Sequence, residues 1–470
     1  MNSFTTNIQL IYVLAAACFV VGLHLMNSPA TARRGNQVST SGMVIAGIAT
    51  LVLLIHDGTV TAVGWTVLII GTLLGAAAGL WSARKVQMTA MPQLVSMFNA
   101  VGGGAAALVA VYEYMHDESA PGGVLGTITV TSVLDVIIGS VTFTGSLIAA
   151  GKLQGLIGGQ PIMVPGGRYL SIATAVIAIG TGAFMLTTPS LPALLIVVLA
   201  SLAFGVLMVL PIGGADMPVV ISLLNAFTGT AVAMAGFVIQ NWALIVAGAL
   251  VGASGGILTK LMADAMNRSL ANIILGGFGT GDTAVASAVA ADAQIRSIAA
   301  DDAAIQLAYA SKVIIVPGYG LAAAQAQHGV AELAALLESR GVEVSYAIHP
   351  VAGRMPGHMN VLLAEANVPY PQLREMEEIN PEFPRADVAL VIGANDVTNP
   401  AARRPGSAIS GMPILDVDQA KSIIVVKRSM GTGYAGIDNE LYANPKTSMY
   451  FADAKRAVSE MTAAVKTLVG

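Results

Sequence analysis

Nine apolar stretches, each about as long as a membrane-spanning helix, fill the first 270 residues of the chain. They fall approximately at residues 8–26, 39–56, 60–81, 92–115, 124–150, 170–187, 191–210, 217–238 and 242–262. A helix needs about 20 mainly apolar residues to cross the hydrocarbon core of a bilayer. We therefore predict that residues 1–268 form an α-helical membrane bundle of about nine transmembrane helices.

Charged residues are distributed unevenly along the chain. Residues 1–270 hold 8 Lys or Arg and 7 Asp or Glu, whereas residues 271–470 hold 15 and 20. This change predicts a soluble domain at 312–470, with 269–311 as a hinge or linker. The sequence has no basic patch with interleaved aromatic residues, so we expect no nucleic-acid binding. Its single cysteine, Cys18, argues against a disulfide framework and a cysteine metal site, and we expect no metal.

Basic residues in the loops of the apolar half predict its orientation. All eight lie at the end of the first, third, fifth or ninth apolar stretch or after it, as Lys260 and Arg33 do, whereas the loops at His56–Gly58 and His116–Ser119 have none. Because Lys and Arg concentrate on the cytoplasmic side, the N-terminus is predicted to lie outside and the C-terminal domain in the cytoplasm. The first stretch has no basic residues before it and more membrane segments after it, so it is not predicted to be a signal peptide.

A few polar residues lie within or beside the apolar stretches, namely Asn99, Asp135, Asp216 and Asn225. A polar group at membrane depth is costly and usually bonds a partner or water inside the bundle. Asn99 and Asn225 could each form a hydrogen bond between helices or belong to an ion path, and the sequence leaves both interpretations open. The same two interpretations stay open for Asp135. The glycines of Gly71–Gly79 and Gly248–Gly256 indicate close packing of helices.

From Lys312 onward, strands and helices are predicted to alternate. The β-branched run Val313–Val316 is typical of a strand buried on both faces. Gly318 and Gly320 permit a tight turn before an amphipathic helix of about 20 residues that ends near Gly341. Further strands are predicted at 342–348, 388–392, 423–426 and 449–451, with a closing helix near 452–468. This pattern predicts an α/β Rossmann-like domain with a parallel sheet.

Residues at the predicted strand ends indicate the cofactor. A domain of this type that binds NAD normally has an acid at the end of its second strand, which holds the ribose 2′-hydroxyl. Here that strand ends in Ile348 and His349. Lys427, Arg428 and Ser429 end a later strand, and two cations with a hydroxyl suit a 2′-phosphate. A solvated strand end is the alternative, but the missing acid favours NADP(H).

An ordered set of motifs runs through both halves of the chain. It comprises Val141–Ser146, Gly213–Val220, Ala265–Ser269, Val316–Gly320, His349–Gly357, Val391–Asp396 and Lys427–Gly436. With these motifs the chain resembles the β subunit of the membrane proton-translocating NAD(P) transhydrogenase over essentially its whole length. The resemblance implies an oxidoreductase in which hydride passes from NADH on a separate α subunit or subunits to NADP⁺ on this chain, coupled to proton movement into the cytoplasm. It also implies a bacterial inner membrane location, contact with membrane lipid, and a dimer of αβ units.

The resemblance assigns residues to the cofactor and to coupling. Those expected at the dinucleotide are Gly318, Tyr319, Gly320, Ala323, Val351, Ala352, Gly353, Arg354, Gly393, Ala394, Asn395, Asp396, Lys427, Arg428, Ser429, Gly433 and Tyr434. Arg354 would approach the pyrophosphate, Lys427 and Arg428 would hold the 2′-phosphate, and Gly433 with Tyr434 would form a lid. The candidates for coupling are Asp396, Asp216 and Arg268, and those for the proton path are Asn225 and Asn99.

One position departs from the family. Many β subunits have a membrane histidine where this chain has Asn99, and an amide cannot take up a proton at physiological pH. We therefore expect a partner subunit to supply the proton-exchanging histidine. The reaction needs no protein nucleophile, because hydride passes directly between two nicotinamide rings. Two other functions stay open: a transporter gated by a nucleotide-binding domain, and a membrane-anchored binding module without transport.

Overall fold

A computed structural model of the chain describes residues 3–26, 28–58, 60–118, 126–158, 161–188, 190–213, 216–266, 270, 295–353, 357–405, 407, 409–431, 433, 435 and 437–469. The chain divides into two compact units. The helical unit comprises Met1–Gly213 and Val219–Thr259, and the sheet unit comprises Gly214–Pro218 and Lys260–Gly470.

Nine helices in the described part of the chain have the length and composition needed to cross a membrane. They are α1 Ser3–Leu25, α2 Pro29–Asp57, α3 Ala62–Lys85, α4 Met91–Glu118, α5 Gly126–Gln154, α6 Gly167–Met185, α7 Leu191–Val209, α8 Met217–Val238 and α9 Trp242–Ala265. Each overlaps one of the nine apolar stretches, so the predicted multi-pass membrane bundle is confirmed. Helix α2 ends at Asp57, and Gly58, whose φ is +62°, supplies the left-handed cap.

Glycines bring several of these helices into backbone contact. A Cβ at Gly139 on α5 would lie 3.0 Å from the Cβ of Ala107 on α4. A Cβ at Gly255 on α9 would lie 2.8 Å from the nitrogen of Ala226 on α8. Small residues permit this approach, as predicted. The glycines of Gly71–Gly79 on α3 differ, since no described atom lies within 4 Å of the Cβ positions built on them and α3 buries no residue.

Parallel strands form one sheet in the sheet unit, in the order β3-β2-β1-β4-β5-β6. The strands are β1 Lys312–Pro317, β2 Glu343–Ile348, β3 Leu373–Glu375, β4 Val388–Ile392, β5 Ser422–Lys427 and β6 Thr447–Phe451. Every residue of β4 is buried, as expected for a strand covered on both faces. The predicted Rossmann-like domain is confirmed. Sequence reasoning missed β3, because a strand of three residues with exposed polar side chains has no recognisable pattern.

The helices described in the sheet unit are α10 Ala300–Ala308, α11 Tyr319–Ala323, α12 Gln327–Glu338, α13 His358–Glu365, α14 Met376–Ile379 and α15 Ala454–Val469. The prediction of one long helix after β1 is wrong, because Gln325, with a φ of +51°, separates α11 from α12. The N–H of Ala326 donates to the carbonyl of Leu321 at 3.1 Å, and that of Gln325 donates to Ala322 at 3.0 Å. These bonds form a Schellman ending, in which glycine is usual and glutamine gives no sequence signal.

Part of the predicted linker 269–311 is folded into the sheet unit. Helix α10 lies within it and buries Ala303, Ala304 and Leu307. The N–H of Ile298 also donates to the carbonyl of Met449 in β6 at 3.0 Å. The glycine-rich part of the predicted linker lies outside the described residues, so the domain boundary there stays a prediction.

Candidate functional site

The point at which the strand order of the sheet reverses provides the candidate site. Strand β1 pairs with β2 on one side and β4 on the other, and open α/β sheets bind ligands beyond the carboxyl ends of strands at such a point. Gly318 follows β1 and Gly393 follows β4. The N–H of Gly318 donates to the carbonyl of Ile392 at 2.9 Å, and that of Gly320 donates to Gly393 at 3.0 Å. The two turns are therefore fixed to each other.

No side chain fits between these two turns. A Cβ at Gly320 would lie 2.7 Å from the Cα of Gly393, whose φ is +70°. A Cβ at Gly318 would overlap the backbone of Ala394. The floor of the site is therefore backbone, which lets a phosphate group approach more closely than a floor of side chains would.

Two cavities of about 300 and 340 Å³ open on this floor. The residues that line both are Gly320, Gly393, Ala394 and Asn395. The first cavity extends to Lys427–Ser429 at the end of β5, and the second extends to Val351–Gly353 after β2. Because they share a floor, the two cavities form one groove with two lobes, a shape that suits a dinucleotide.

Most of the residues predicted for the cofactor are brought together in this groove. They are Gly318, Tyr319, Gly320, Ala323, Val351, Ala352, Gly353, Gly393, Ala394, Asn395, Asp396, Lys427, Arg428, Ser429 and Gly433. Three other predicted site residues, Arg268, Arg354 and Tyr434, lie outside the described residues.

Positive charge is concentrated in the first cavity. The ammonium of Lys427 lies 4.6 Å from the centre of the Tyr442 ring and donates to the carbonyl of Gly431. Burial lowers the pKa of Lys427, and nearby acidic groups oppose this shift only in part. Arg428 and Ser429 are exposed next to it. A phosphate bound here would compensate Lys427 for its lost hydration, and Arg428 offers a planar fork of donors.

A polar network holds the turn after β4. The hydroxyl of Tyr442 donates to Oδ1 of Asn395 at 2.9 Å, and Nδ2 of Asn439 donates to the carbonyl of Asn395 at 2.9 Å. The backbone N–H of Ala435 donates to Oδ2 of Asp396 at 3.0 Å. The carboxylate of Asp396 therefore ties the backbone of Ala435 to the floor of the groove.

The turn after β2 contributes shape rather than charge. His349 is buried, and the N–H of Val351 donates to its Nδ1 at 3.2 Å. Nε2 therefore carries the ring proton and donates to the carbonyl of Pro413 at 2.9 Å. Burial lowers the pKa of His349, which favours this neutral form. With His349 bonded in this way and no acid beside it in the sequence, the turn has no carboxylate for a ribose hydroxyl.

Sequence reasoning missed several residues around the groove. Ala452–Ala454 line the first cavity directly after β6. They follow a predicted strand, but only the strand order shows that β6 lies beside β5 and that its carboxyl end reaches the groove. Tyr442 and Asn439 gave no signal, because they belong to an irregular segment around a short 3₁₀ turn.

The predicted proton-path residues lie on helices α4 and α8. Asn99 on α4 is 4% exposed, and its Nδ2 donates to the carbonyl of Ile221 on α8 at 3.3 Å. The hydroxyl of Thr228 donates back to the carbonyl of Asn99 at 3.3 Å, so Asn99 makes a helix–helix hydrogen bond. Asn225 is half-buried on α8, and Asp216 directly precedes that helix.

Known proteins similar to this chain match it over almost its entire length. A family model described as NAD(P) transhydrogenase beta subunit matches residues 8–464. The chain is 49% identical over 460 residues to the NAD(P) transhydrogenase subunit beta of Rhodospirillum rubrum. The aligned region covers 97% of this chain and 98% of that relative. A second curated relative of the same name, from a strain of that species, has the same identity and coverage.

Proposed function

Since the chain belongs to the NAD(P) transhydrogenase beta subunit family, we propose that its groove binds NADP(H) and that a partner alpha subunit binds NAD(H). Together the two subunits transfer hydride from NADH to NADP⁺ while protons move across the membrane into the cytoplasm. The proposal includes a bacterial inner membrane location with the N-terminus outside and the sheet unit in the cytoplasm. It also includes a dimer of αβ units.

The composition of the groove carries this proposal. A backbone floor at Gly320 and Gly393 continues into a lobe that holds the cations Lys427 and Arg428. At the end of β2, where an NAD site needs an acid, His349 is neutral and bonded to the main chain. A dinucleotide with a 2′-phosphate uses both the floor and the cations, whereas NAD(H) leaves the cations without a ligand.

The residues of this chain bind and orient rather than react. Bound NADP⁺ supplies the nicotinamide carbon that accepts the hydride. Gly318 and Gly320 would let the pyrophosphate approach, Lys427 and Arg428 would hold the 2′-phosphate, and Gly433 and Tyr434 are the candidates for a lid. Direct transfer between two rings requires close placement and exclusion of water, so the groove needs no acid–base pair for this step.

We assign coupling to Asp396 and to polar residues of the membrane-spanning helices. Protonation of Asp396 would weaken it as an acceptor for the N–H of Ala435 and so loosen the segment over the groove. Asn99 and Asn225 would bond water along the proton path, with a histidine supplied by a partner helix. Asp216 and Arg268 are the further candidates for transmitting the change.

The direct test is reduction of an NADP analogue by NADH in membranes that contain both subunits. Turnover is expected for the wild type. If no turnover is observed, the proposed enzymatic function is rejected, and a gated transporter or a binding module remains.

The assignment of the 2′-phosphate is tested by Lys427→Ala in the same complex. A charge-assisted hydrogen bond contributes about 1.5 to 3 kcal/mol, so NADP affinity should fall about 10- to 150-fold. Lys421→Ala is the matched control, because Lys421 lies just before β5, at its other end, and pairs with Asp387 at 2.8 Å. An NADP affinity that falls equally in both variants, or in neither, would contradict the assignment.

A further inference from the structure

Asp135, in the first half of α5, is a carboxyl group fully enclosed by the helical unit. Its side chain is 0% exposed, and neither carboxylate oxygen has a hydrogen-bond partner among the described residues. Ser132, one turn earlier on the same face, is also 0% exposed, and its hydroxyl likewise has no partner in the described part of the chain. An enclosed polar pair of this kind indicates a functional group rather than a packing element.

The face of α5 that carries Asp135 is directed towards neighbouring helices and not towards lipid. Gly139, one turn further along, lies against α4, where its Cβ position is 3.0 Å from the Cβ of Ala107. Ile138, beside it, packs on a cluster formed by Ala106 on α4 and Ala231 on α8. Asp135 therefore lies inside the bundle, near the contact of α4, α5 and α8.

Within the part of the chain that the structure describes, no cation compensates Asp135. The ionisable side chains described on the helices around it are Tyr112, Glu113, Tyr114 and His116 on α4 and Arg168 and Tyr169 on α6, while α7 and α8 have none. Arg168 is exposed at the start of α6. Lys152 lies 17 residues further along α5, which is about 25 Å, and there it donates to the carbonyl of Ile212 at 2.7 Å. An uncompensated buried carboxylate is strongly disfavoured, so the enclosure holds the neutral acid.

Asp135 and Asn99 lie on neighbouring helices, at different heights along the helix axes. Helices α4 and α5 run antiparallel, with Gly139 opposite the segment from Gly103 to Ala107. Asn99 and Asp135 lie beyond this contact in opposite directions, so they are about 12 to 15 Å apart along the helix axes. The side chain of Asn99 bonds the backbone of α8 and cannot exchange a proton at physiological pH, whereas a carboxyl group such as Asp135 is able to bind and release one. This contact falls near the middle of both candidate spans, Met91–His116 and Ile128–Gln154, so the two residues lie on opposite sides of that middle.

We propose that Asp135 is a proton-binding site of this chain, and this rests on the proposed proton-translocating function. One carboxylate oxygen binds a proton to give the neutral acid, and release of that proton towards Asn99 and Asn225 regenerates the carboxylate until a second proton arrives from the opposite half of the membrane. The step changes one O–H bond and no oxidation state. Asp135 would then provide on this chain the titrating group that Asn99 does not.

Infrared spectroscopy of the purified complex of both subunits tests the protonation state directly. The wild type should show the C=O stretch of a protonated carboxylic acid, and Asp135→Asn should remove it. Glu113→Gln is the matched control, since Glu113 is a partly exposed carboxyl on the neighbouring helix α4, and it should leave the band in place. If Asp135→Asn leaves the protonated-acid bands of the wild type unchanged, the proposal is overturned.

Transport by the complex in lipid vesicles tests the role of the proton. Asp135→Asn should lower proton movement at least 10-fold while the vesicles still bind NADP, and Asp135→Glu should restore part of the movement. If the wild type moves no protons, the proposed function itself fails. If the wild type moves protons and Asp135→Asn moves them equally well, the proposed function stands and the proposal for Asp135 is overturned.

Discussion

The two units of the molecule satisfy their polar side chains in different ways. In the sheet unit, charged groups at strand ends pair with each other, as where the ammonium of Lys312 lies 2.7 Å from Glu382 and 2.9 Å from Glu343. In the helical unit, side-chain donors mostly bond main-chain carbonyls instead, either of their own helix, as Thr50 does, or of a neighbouring helix. The hydroxyl of Ser96, for example, donates to the carbonyl of Ser146 at 2.8 Å.

This difference explains why a carboxylate is unusual in the helical unit. A membrane helix uses its N–H groups internally, so it offers a neighbour accepting carbonyls but few donors. Hydroxyl, amide and ammonium groups can bond such a surface, whereas an ionised carboxylate only accepts and cannot. Protonation removes the charge of Asp135 and gives it an O–H group that can donate. In the sheet unit the same residue type is paired, as in Asp387 with Lys421 at 2.8 Å.

The largest loss of stability is expected at Gly393, where the backbone of the sheet unit leaves no room for a side chain. Gly393→Ala should destabilise the complex by more than about 3 kcal/mol, because a φ of +70° and the backbone of Gly320 both oppose a Cβ. Gly341→Ala is the control, with a φ of +85° but no atom within 4 Å, and should cost only about 1 to 2 kcal/mol. Thermal unfolding of the two variants measures the difference, and equal midpoints would contradict the close approach of the two turns.

An intermediate loss of stability is expected when a lysine is replaced in the helical unit, and the same replacement in the sheet unit serves as the comparison. Lys152 is 4% exposed on α5 and donates to the carbonyls of Leu210 and Ile212 after α7. Lys152→Met should therefore destabilise the complex by about 2 to 3 kcal/mol. Lys421→Met removes an exposed ion pair and should cost at most about 1 kcal/mol. Comparable losses in thermal stability would mean that the surroundings of the two lysines do not differ as described.

The smallest change in stability is expected when Lys427 is replaced in the complex without bound nucleotide. Burial lowers the pKa of its ammonium in the folded chain, so the unfolded chain binds more protons between the two pKa values. Lys427 therefore opposes folding below its lowered pKa, and this penalty disappears as the pH rises through the ordinary lysine value. Lys427→Met should raise the unfolding midpoint slightly at neutral pH and not at strongly alkaline pH. If the increase in the unfolding midpoint is the same at every pH, the burial of a charged Lys427 is not its cause.

The sequence is informative where local pattern determines structure. Apolar length predicted the membrane helices, and β-branched runs predicted strands such as Val388–Ile392. Gly318, Gly320 and Lys427 were predicted because they stand at strand ends, whereas Gly393 was predicted from the resemblance to the family. The order of the strands, the break at Gln325 and the enclosure of Asp135 depend on contacts between segments far apart in the chain. Local residue patterns therefore could not predict them.

We propose that polar residues of the membrane-spanning helices and the groove of the sheet unit serve one coupled reaction. Asn225→Leu in the complete complex, reconstituted in lipid vesicles, tests this most directly, because Asn225 belongs to α8 and not to the groove. Proton pumping, reverse transhydrogenation and NADP binding would be measured on the same preparation. We predict a large loss of the first two with NADP affinity nearly unchanged. An equal loss of all three, or no loss of pumping, would contradict the claim.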